Sequence, residues 1–189
     1  EKTLVSLVST SKLETLIQNS GLPAEQVYKM ICLPAVADLE GTPLLVPRST
    51  SNIHELLSTL GGGTCIQCEN EAIMEAMMVS TCMMGPVYGL MRINRDFMIK
   101  NGVPPKDANH VVARQYWGMT KDALVRCEGG EGYNDNSLDE LINEQTPGGL
   151  NEQTLRNIEG AGVLKNVEDA MTAVLGRIRG ETDGSLTSE

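Results

Sequence analysis

Apolar and polar positions alternate in short blocks along the first third of the chain, as they do in an α/β unit. Nearly continuous apolar runs predict four short strands, in residues 3–9, 26–32, 42–46 and 64–68. The first strand is apolar on both faces, which is typical of a buried strand in a parallel sheet. Apolar residues at helical spacing predict helices over residues 11–20 and 51–60, ended by Gly21 and by three consecutive glycines.

The strand signals stop after residue 69, and the rest of the chain predicts helices separated by glycine and proline. The predicted helices cover residues 71–100, interrupted by Gly85-Pro86, then 104–126, a short helix from 137, 151–159 and 163–179. Residues 128–136 form a glycine-containing loop, and composition predicts a disordered tail from Gly180. The pattern therefore predicts a mixed α+β chain with a strand-rich first part and an all-helical second part.

Two Ser-x-x-Glu motifs precede apolar helical patterns. In such a capping box the serine hydroxyl and the glutamate carboxylate bind the free amides of the first helical turn. The motifs Ser11-Lys12-Leu13-Glu14 and Ser137-Leu138-Asp139-Glu140 therefore predict the starts of two helices.

The helix predicted over residues 71–100 is apolar on nearly all sides over its first two-thirds. A helix without a polar face must be enclosed all round, and the few other elements of this chain are too small to do so alone. We therefore expect a partner chain. A central core helix in a monomer is the alternative, and a membrane span is disfavoured by Glu75, Arg92 and Arg95.

Charge and cysteine content narrow the function classes. With 15 Lys and Arg against 25 Asp and Glu, the net charge of −10 disfavours nucleic acids and anionic membranes as partners.

No secretory leader is recognisable, and the five cysteines are an odd number, which favours reduced thiols in the cytoplasm. Cys65-Ile-Gln-Cys68 has the spacing of a redox pair or half a zinc site, but further ligands are missing, so we expect no metal. Because the chain begins at Glu1, close to a strand, we expect a fragment or a processed product.

Thr146-Pro147-Gly148-Gly149 is the most informative short motif. Two glycines allow the backbone to approach a ligand closely and place free amides at the start of a helix, an arrangement that suits a carboxylate. A turn that only reverses the chain is the alternative.

Three stretches resemble the pyrroline-5-carboxylate reductase family. Thr146-Pro147-Gly148-Gly149 with the two helices that follow resembles the closing segment of the family. Gly102-Val103-Pro104-Pro105 resembles its Gly-Leu-Pro helix entry, and Gly85-Pro86-Val87-Tyr88 resembles its Gly-Pro-Ala-Tyr. The resemblance extends over residues 3–179.

The resemblance implies a reductase that uses NADP or NAD to reduce a cyclic imine in proline biosynthesis. It implies the residual C-terminal part of a Rossmann-type domain in residues 1–69, an all-α dimerisation domain in residues 70–180 and a disordered tail in residues 181–189. It also implies a homodimer with interleaved helices, whose further assembly is left open. The implied substrate-binding residues are Thr146, Gly148, Gly149 and Asn151, with Asn151 at the catalytic position, and the implied cofactor-binding residues are Leu33 and Pro34.

The sequence departs from the family at positions that bear on chemistry. Asn151 stands where the family has a threonine, and Met83-Met84 replaces two small residues before Gly85-Pro86. Ile31-Cys32-Leu33-Pro34-Ala35 replaces the Met-Pro-Asn-Thr-Pro segment near the nicotinamide. No Gly-x-Gly-x-x-Gly follows a strand, so we expect this chain to be the later part of a reductase and to bind the cofactor only within the complete protein.

Two other functions stay open at this point. One is a non-catalytic dimerisation module or pseudoenzyme of the same family, which the substitutions at 151 and 83–84 favour. The other is a different two-domain dehydrogenase, such as a β-hydroxyacid enzyme. Such an enzyme needs a catalytic lysine on the long helix, where Lys100 lies at the far end.

Overall fold

The structure is a computed structural model that describes residues 2–49, 52–128 and 134–186. It has a mixed α+β fold, with the strands β1 (Leu4–Ser6), β2 (Val27–Ile31), β3 (Leu44–Val46) and β4 (Ile66–Gln67). The helices are α1 (Leu13–Ser20), α2 (Asn52–Leu60), α3 (Glu71–Thr81), α4 (Met84–Lys100), α5 (Pro105–Cys127), α6 (Ser137–Asn143), α7 (Leu150–Gly160) and α8 (Val163–Arg179). Each predicted strand and helix therefore has a counterpart.

Contacts divide the chain into two compact units. The first consists of Glu1–Cys82 with Asp169–Glu189, and the second of Met83–Glu168. The first unit contains all four strands, and the second is helical.

The four strands of the first unit form one sheet in the order β1-β2-β3-β4. β1 pairs with β2 and β3 pairs with β4 in parallel, whereas β2 and β3 are antiparallel with Lys29 opposite Val46. Alternate residues point to opposite faces of a strand, so each face has its own apolar cluster. One cluster contains Ile31, Leu44, Val46, Cys68, Met74 and Met78. The other contains Tyr28, Met30, Leu45 and Leu57.

The first strand is shorter than its apolar pattern predicts. β1 ends at Ser6, and Leu7 and Val8 are 61% and 53% exposed, so the prediction of burial on both faces is wrong for them. The Val8 amide donates a hydrogen bond to the Ser6 hydroxyl at 3.3 Å. This local bond favours a bend over continued pairing with β2, and it accounts for the early end of the strand.

Neither predicted capping box forms. Lys12, not Ser11, is the N-cap of α1, and the Leu13 amide donates to both carboxylate oxygens of Glu71, each at 3.2 Å. The remote Glu71 carboxylate thus binds the Leu13 amide in the first turn of α1, where a local capping box was expected. The predicted helix end is confirmed, since Gly21 takes the left-handed conformation with φ 67°.

At the start of α6, Asn136 is the N-cap and makes no side-chain capping bond. The Ser137 hydroxyl instead donates to the Asn134 carbonyl at 2.8 Å. The Glu140 carboxylate accepts a hydrogen bond from the Asn134 side chain, also at 2.8 Å. Both motif residues therefore bind the preceding loop, and the sequence predicts the helix but not its cap. Most of the predicted glycine loop, residues 129–133, lies outside the described residues.

The long apolar helix divides one turn before its proline. α3 ends at Thr81, α4 begins at Met84, and Pro86 lies in the first turn of α4. Proline has no amide hydrogen and clashes with the carbonyl four residues earlier, so a helix is interrupted ahead of it. By length and composition alone, Glu71–Lys100 is the one stretch in the described chain long and apolar enough to cross a membrane, which is weak evidence of a span.

Part of the segment predicted to be disordered makes backbone hydrogen bonds with the end of α8. Within residues 180–186, the amides of Glu181 and Thr182 both donate to the Gly176 carbonyl, at 2.9 and 3.4 Å. The Gly184 amide donates to the Thr182 hydroxyl at 3.2 Å. The segment thus folds back on the end of α8, while residues 187–189 lie outside the described residues.

Candidate functional site

The predicted Thr-Pro-Gly-Gly turn is present in the second unit and leads directly into α7. The Gly149 amide donates to the Thr146 carbonyl at 2.8 Å, and Gly148 has φ 73°, in the region that favours glycine. A Cβ atom on Gly149 would lie 2.8 Å from the Thr146 carbonyl oxygen, closer than real Cβ atoms come. Both glycines are therefore required by the backbone, and the turn can be accounted for by its geometry whatever else it binds.

An acidic side chain of α7 already occupies one amide of this turn. The Gly148 amide donates to Oε2 of Glu152 at 2.5 Å. A carboxylate in the first helical turn also interacts favourably with the positive end of the helix dipole. The turn thus binds a carboxylate oxygen, but here it belongs to the chain itself. Glu152 was not predicted from the sequence, although an acidic residue in the first turn of a helix is a recognisable capping signal.

Asn151 is tied to the end of the preceding helix through Gln145. Asn151 Nδ2 donates to Gln145 Oε1 at 2.9 Å, and Gln145 Nε2 donates to the Leu141 carbonyl at 2.9 Å. Leu141 lies in the last turn of α6, where carbonyls have no partner within the helix, so the glutamine side chain supplies one. The residue that the family resemblance places at the catalytic position is therefore held in a defined orientation.

Gln145 and Asn151 line two cavities. A cavity of about 380 Å³ lies beside the turn and is lined by Glu144, Gln145, Thr146, Gly149, Leu150 and Asn151. A cavity of about 550 Å³ is lined by Met119, Asp122, Leu138, Leu141, Ile142, Gln145, Asn151 and Leu155. Each is in the size range of small-molecule sites.

The charge around the turn is acidic. Glu144 pairs with Arg126, whose Nη2 lies 2.8 and 3.0 Å from the two carboxylate oxygens. This hydrogen bond and the charge of Glu144 raise the pKa of Arg126. With Arg126 engaged in this way and Glu152 on the turn amide, an anionic ligand would meet carboxylates at this position.

Leu33 and Pro34 lie in the first unit, at the carboxyl end of β2. Leu33 caps the short 3-10 helix Pro34–Asp38, and its side chain is 38% exposed. Leu33 lines a mainly apolar cavity of about 340 Å³. The other lining residues are Ile31, Cys32, Thr42, Leu44, Ile66, Met77, Ser80 and Thr81. An apolar cavity of this kind, with a few hydroxyl groups, is compatible with a flat aromatic ring.

The described residues of this unit do not fit the diphosphate of a dinucleotide. None of the segments that join β1 to α1, β3 to α2 or β4 to α3 contains a glycine. First-turn amides of α1 and α3 are also occupied. The Glu71 carboxylate binds the Leu13 amide of α1, and the Asn70 side chain accepts from the Ile73 amide of α3 at 3.0 Å. The described residues of this unit alone therefore offer no site for the diphosphate.

A buried ionic cluster, not predicted from the sequence, joins the sheet to α3. The Lys29 side chain is 1% exposed and its Nζ lies 2.9 Å from the Glu71 carboxylate. Glu75, also buried, pairs with Lys12 and lies 3.7 Å from Arg179 Nε. A lysine on a buried strand carries no sequence signal that distinguishes it from an exposed one, because its partner comes from a remote element.

The Cys65-x-x-Cys68 motif is divided between the two faces of the sheet. Cys68 belongs to the cluster with Met74, whereas Cys65 packs against the cluster with Leu57. Burial raises the pKa of both thiols. All five cysteines are free, and no three His, Cys, Asp or Glu side chains come together as a metal-binding group among the described residues.

Comparisons with known proteins bear on the fold. No protein-family model matches the sequence, and no curated protein matches it either. The structure is similar to a pyrroline carboxylate reductase of Plasmodium falciparum with NADP bound, with a TM-score of 0.74 and 17% identity over 97% of this chain and 72% of that one. It is also similar to the 1-pyrroline-5-carboxylate reductase of Streptococcus pyogenes, with a TM-score of 0.75 and 14% identity over 95% of this chain and 68% of that one.

The corresponding reductase of Coxiella burnetii gives a TM-score of 0.73 and 14% identity over 94% of this chain and 65% of that one. The chain therefore has the fold of pyrroline-5-carboxylate reductases and spans about two-thirds to 72% of the length of these relatives. The resemblance stated from the sequence is confirmed in the fold.

Proposed function

We propose that this chain is the later part of a cytoplasmic oxidoreductase of the pyrroline-5-carboxylate reductase type, which reduces a cyclic imine. The observation that carries the proposal is the fold, which matches these reductases over nearly the whole chain. The Thr-Pro-Gly-Gly turn that opens α7, on which the sequence resemblance depends, supports it independently. We further propose that residues 1–69 correspond to the C-terminal part of a Rossmann-type domain and residues 70–180 to a helical dimerisation domain.

In this proposal the turn and Asn151 bind the substrate. Thr146, Gly148 and Gly149 form the turn that faces the substrate, whose carboxylate would take the Gly148 amide in place of Glu152. Asn151 supplies an amide side chain beside the reacting imine. These groups orient the ring, and positioning is the main contribution of a protein to hydride transfer. NADPH or NADH would supply the hydride in the complete protein and leave as NADP⁺ or NAD⁺. We propose that Leu33 and Pro34 lie near its nicotinamide, because the cavity there is mainly apolar.

A second copy of the chain is the partner we propose. No residue of α4 is buried within this chain. Its side chains Leu90, Ile93 and Phe97 are 50%, 65% and 66% exposed. Exposed apolar surface of this extent is typical of an interaction site, and the family resemblance implies a homodimer.

The second candidate function is a dimerisation module without catalysis. Two observations favour it: no strand-to-helix segment of the described sheet offers a phosphate cradle, and the Gly148 amide is bound by Glu152. A pseudoenzyme would keep the helices that associate and lose the pocket.

Substitution of Asn151 separates the two candidates. We compare the wild type, Asn151→Thr and Asn151→Leu in the complete protein, with pyrroline-5-carboxylate and NADPH. For an enzyme we expect turnover in the wild type, equal or faster turnover in Asn151→Thr, and a loss of about 100-fold in Asn151→Leu, the scale of one lost polar contact to a reacting group. Turnover in none of the three, with dimers intact and no NADPH bound, would establish the module.

A further inference from the structure

Two sulfur atoms from different elements of the first unit lie in contact. Cys68 directly follows β4, and its Sγ donates a hydrogen bond to the Sδ of Met77 in α3, with the two sulfurs 3.9 Å apart. Cys65, the partner that the Cys-x-x-Cys spacing suggests, packs against the apolar cluster on the other face of the sheet. The sulfur neighbour of Cys68 is therefore a thioether, which the spacing of the cysteines does not reveal.

The distance between the two sulfurs suits a shared metal ion. With metal–sulfur bonds of about 2.3 Å, an ion bound to both atoms at their separation of 3.9 Å would have an S–metal–S angle of about 115°, which is close to trigonal. The ion would take the place of the hydrogen atom that now lies between the sulfurs. As the bond from the metal to the Cys68 sulfur forms, the thiol proton passes to water, so one cation replaces another.

The surroundings of the pair favour a soft monovalent ion. Thiolate and thioether ligands select Cu(I). Cys68 is 1% exposed and belongs to the apolar cluster that contains Met74 and Met78. A thiolate with a monovalent ion carries no net charge, whereas a divalent ion would leave a positive charge in apolar surroundings, which is costly. Among the described residues, no three His, Cys, Asp or Glu side chains come together to hold a harder ion.

Met77 gives the pair an entry path for an ion. Its side chain is 36% exposed and lines the cavity of about 340 Å³ in the first unit. An ion can therefore reach the sulfur of Met77 from this cavity, and a metal site needs such a path. The cavity also leaves room for a third ligand, such as a small thiol, which would complete a trigonal arrangement.

We propose that Cys68 and Met77 form a binding site for a soft monovalent metal ion, Cu(I). A metal was not expected from the sequence because further cysteine or histidine ligands are missing, and Met77 supplies a ligand of a different type. The proposal is independent of the proposed function, because both sulfur ligands belong to the first unit and neither is assigned to the imine.

Methyl NMR of the complete protein labelled at methionine tests the site directly. Exposed Cys82 and Cys127 are first replaced by serine to remove other accessible thiols. Cu(I) is then added without oxygen as its complex with bicinchoninate, and NADPH is left out. We expect one equivalent to shift the methyl resonance of Met77, which Met77→Leu identifies. Zn(II) should leave this resonance in place.

Competition with bicinchoninate measures the contribution of each sulfur. Met77→Leu should weaken Cu(I) binding at least about 100-fold, because loss of even an outer-sphere partner costs about 10- to 100-fold in metal affinity. Met84→Leu is the matched control, since Met84 is similarly exposed at 43%, and its affinity should equal that of the parent protein. Cys68→Ser should abolish the shift of Met77. Met77→Leu nearly conserves volume and keeps the fold, so it decides the test even where Cys68→Ser does not fold.

Three results would overturn the proposal. The first is a Met77 resonance that does not move in excess Cu(I), even where other methionines do. The second is equal affinity of Met77→Leu and Met84→Leu for Cu(I). The third is a Met77 shift with Zn(II) as large as that with Cu(I), which would contradict the selection of a monovalent ion.

Discussion

The buried pair Lys29–Glu71 allows a quantitative prediction about what stabilises the sheet against α3. Lys29 Nζ lies 2.9 Å from Glu71, with side chains 1% and 21% exposed. Removal of the charge of Glu71 leaves a buried ammonium group without its counterion. We therefore expect Glu71→Gln to lower the free energy of unfolding by about 3 kcal/mol, the lower end of the range for breaking a buried pair, because Glu71 retains some exposure.

The opposite substitution should cost much less. Lys29→Met replaces the ammonium group with an apolar side chain of similar length, and Glu71 keeps its contact with water and its bond to the Leu13 amide. We expect a change within about 1 kcal/mol, because an apolar replacement of a buried charge is often close to neutral. The double variant should be as stable as Lys29→Met alone within about 0.5 kcal/mol, since no buried charge is then left unpaired.

Urea unfolding monitored by circular dichroism measures these differences. The control is Asp96→Asn, which removes the exposed pair between Arg95 and Asp96 and should cost less than about 1 kcal/mol. If Glu71→Gln costs no more than this control, or if Lys29→Met costs more than Glu71→Gln, the reasoning about the unpaired buried charge is refuted.

Three further predictions concern the turn, the thiols and the exposed helix. Glu152→Ala frees the Gly148 amide and should raise the affinity of the turn for cyclopentanecarboxylate about tenfold, as measured by calorimetry. An unchanged affinity would contradict a carboxylate site at this turn. Because burial raises the pKa of Cys68, its thiolate is scarce at neutral pH, and the fold should lose stability as the pH rises through the raised pKa. Iodoacetamide at pH 8 should therefore modify exposed Cys82 at least tenfold faster, and mass spectrometry showing equal rates would refute this. Ile93→Asp should convert dimers to monomers in sedimentation experiments without unfolding them, because Ile93 is 65% exposed within the chain. Intact dimers would exclude this part of α4 from the interface.

Element positions followed from the sequence because they depend on local periodicity and on glycine and proline. Gly21 ends α1, and Pro86 lies just inside the start of α4, as steric rules require. The details that failed depend on partners far along the chain. Ser11 does not cap α1, the Leu13 amide donates to the remote Glu71 carboxylate, and no local pattern around residue 11 contains that information.

In the candidate site, too, the local feature could be predicted and the contact with a residue of another element could not. The turn at residues 146–149 could be predicted because proline fixes its own φ angle and the glycines allow conformations, such as φ 73° at Gly148, that other residues avoid. The orientation of Asn151 could not be predicted, because it depends on Gln145 and on a carbonyl that is free only because α6 ends nearby. Side-chain orientation of this kind depends on where helices end, and helix ends are the least regular part of a helix.

Substrate-dependent oxidation of NADPH by the complete protein tests the central claim most directly. With pyrroline-5-carboxylate as the cyclic imine, the account predicts NADPH consumption in proportion to enzyme and substrate, and formation of proline in equal amount. Binding of NADPH without consumption would show that the imine is a different one. Absence of NADPH binding by the complete, dimeric protein would contradict the reductase function and establish the dimerisation module in its place.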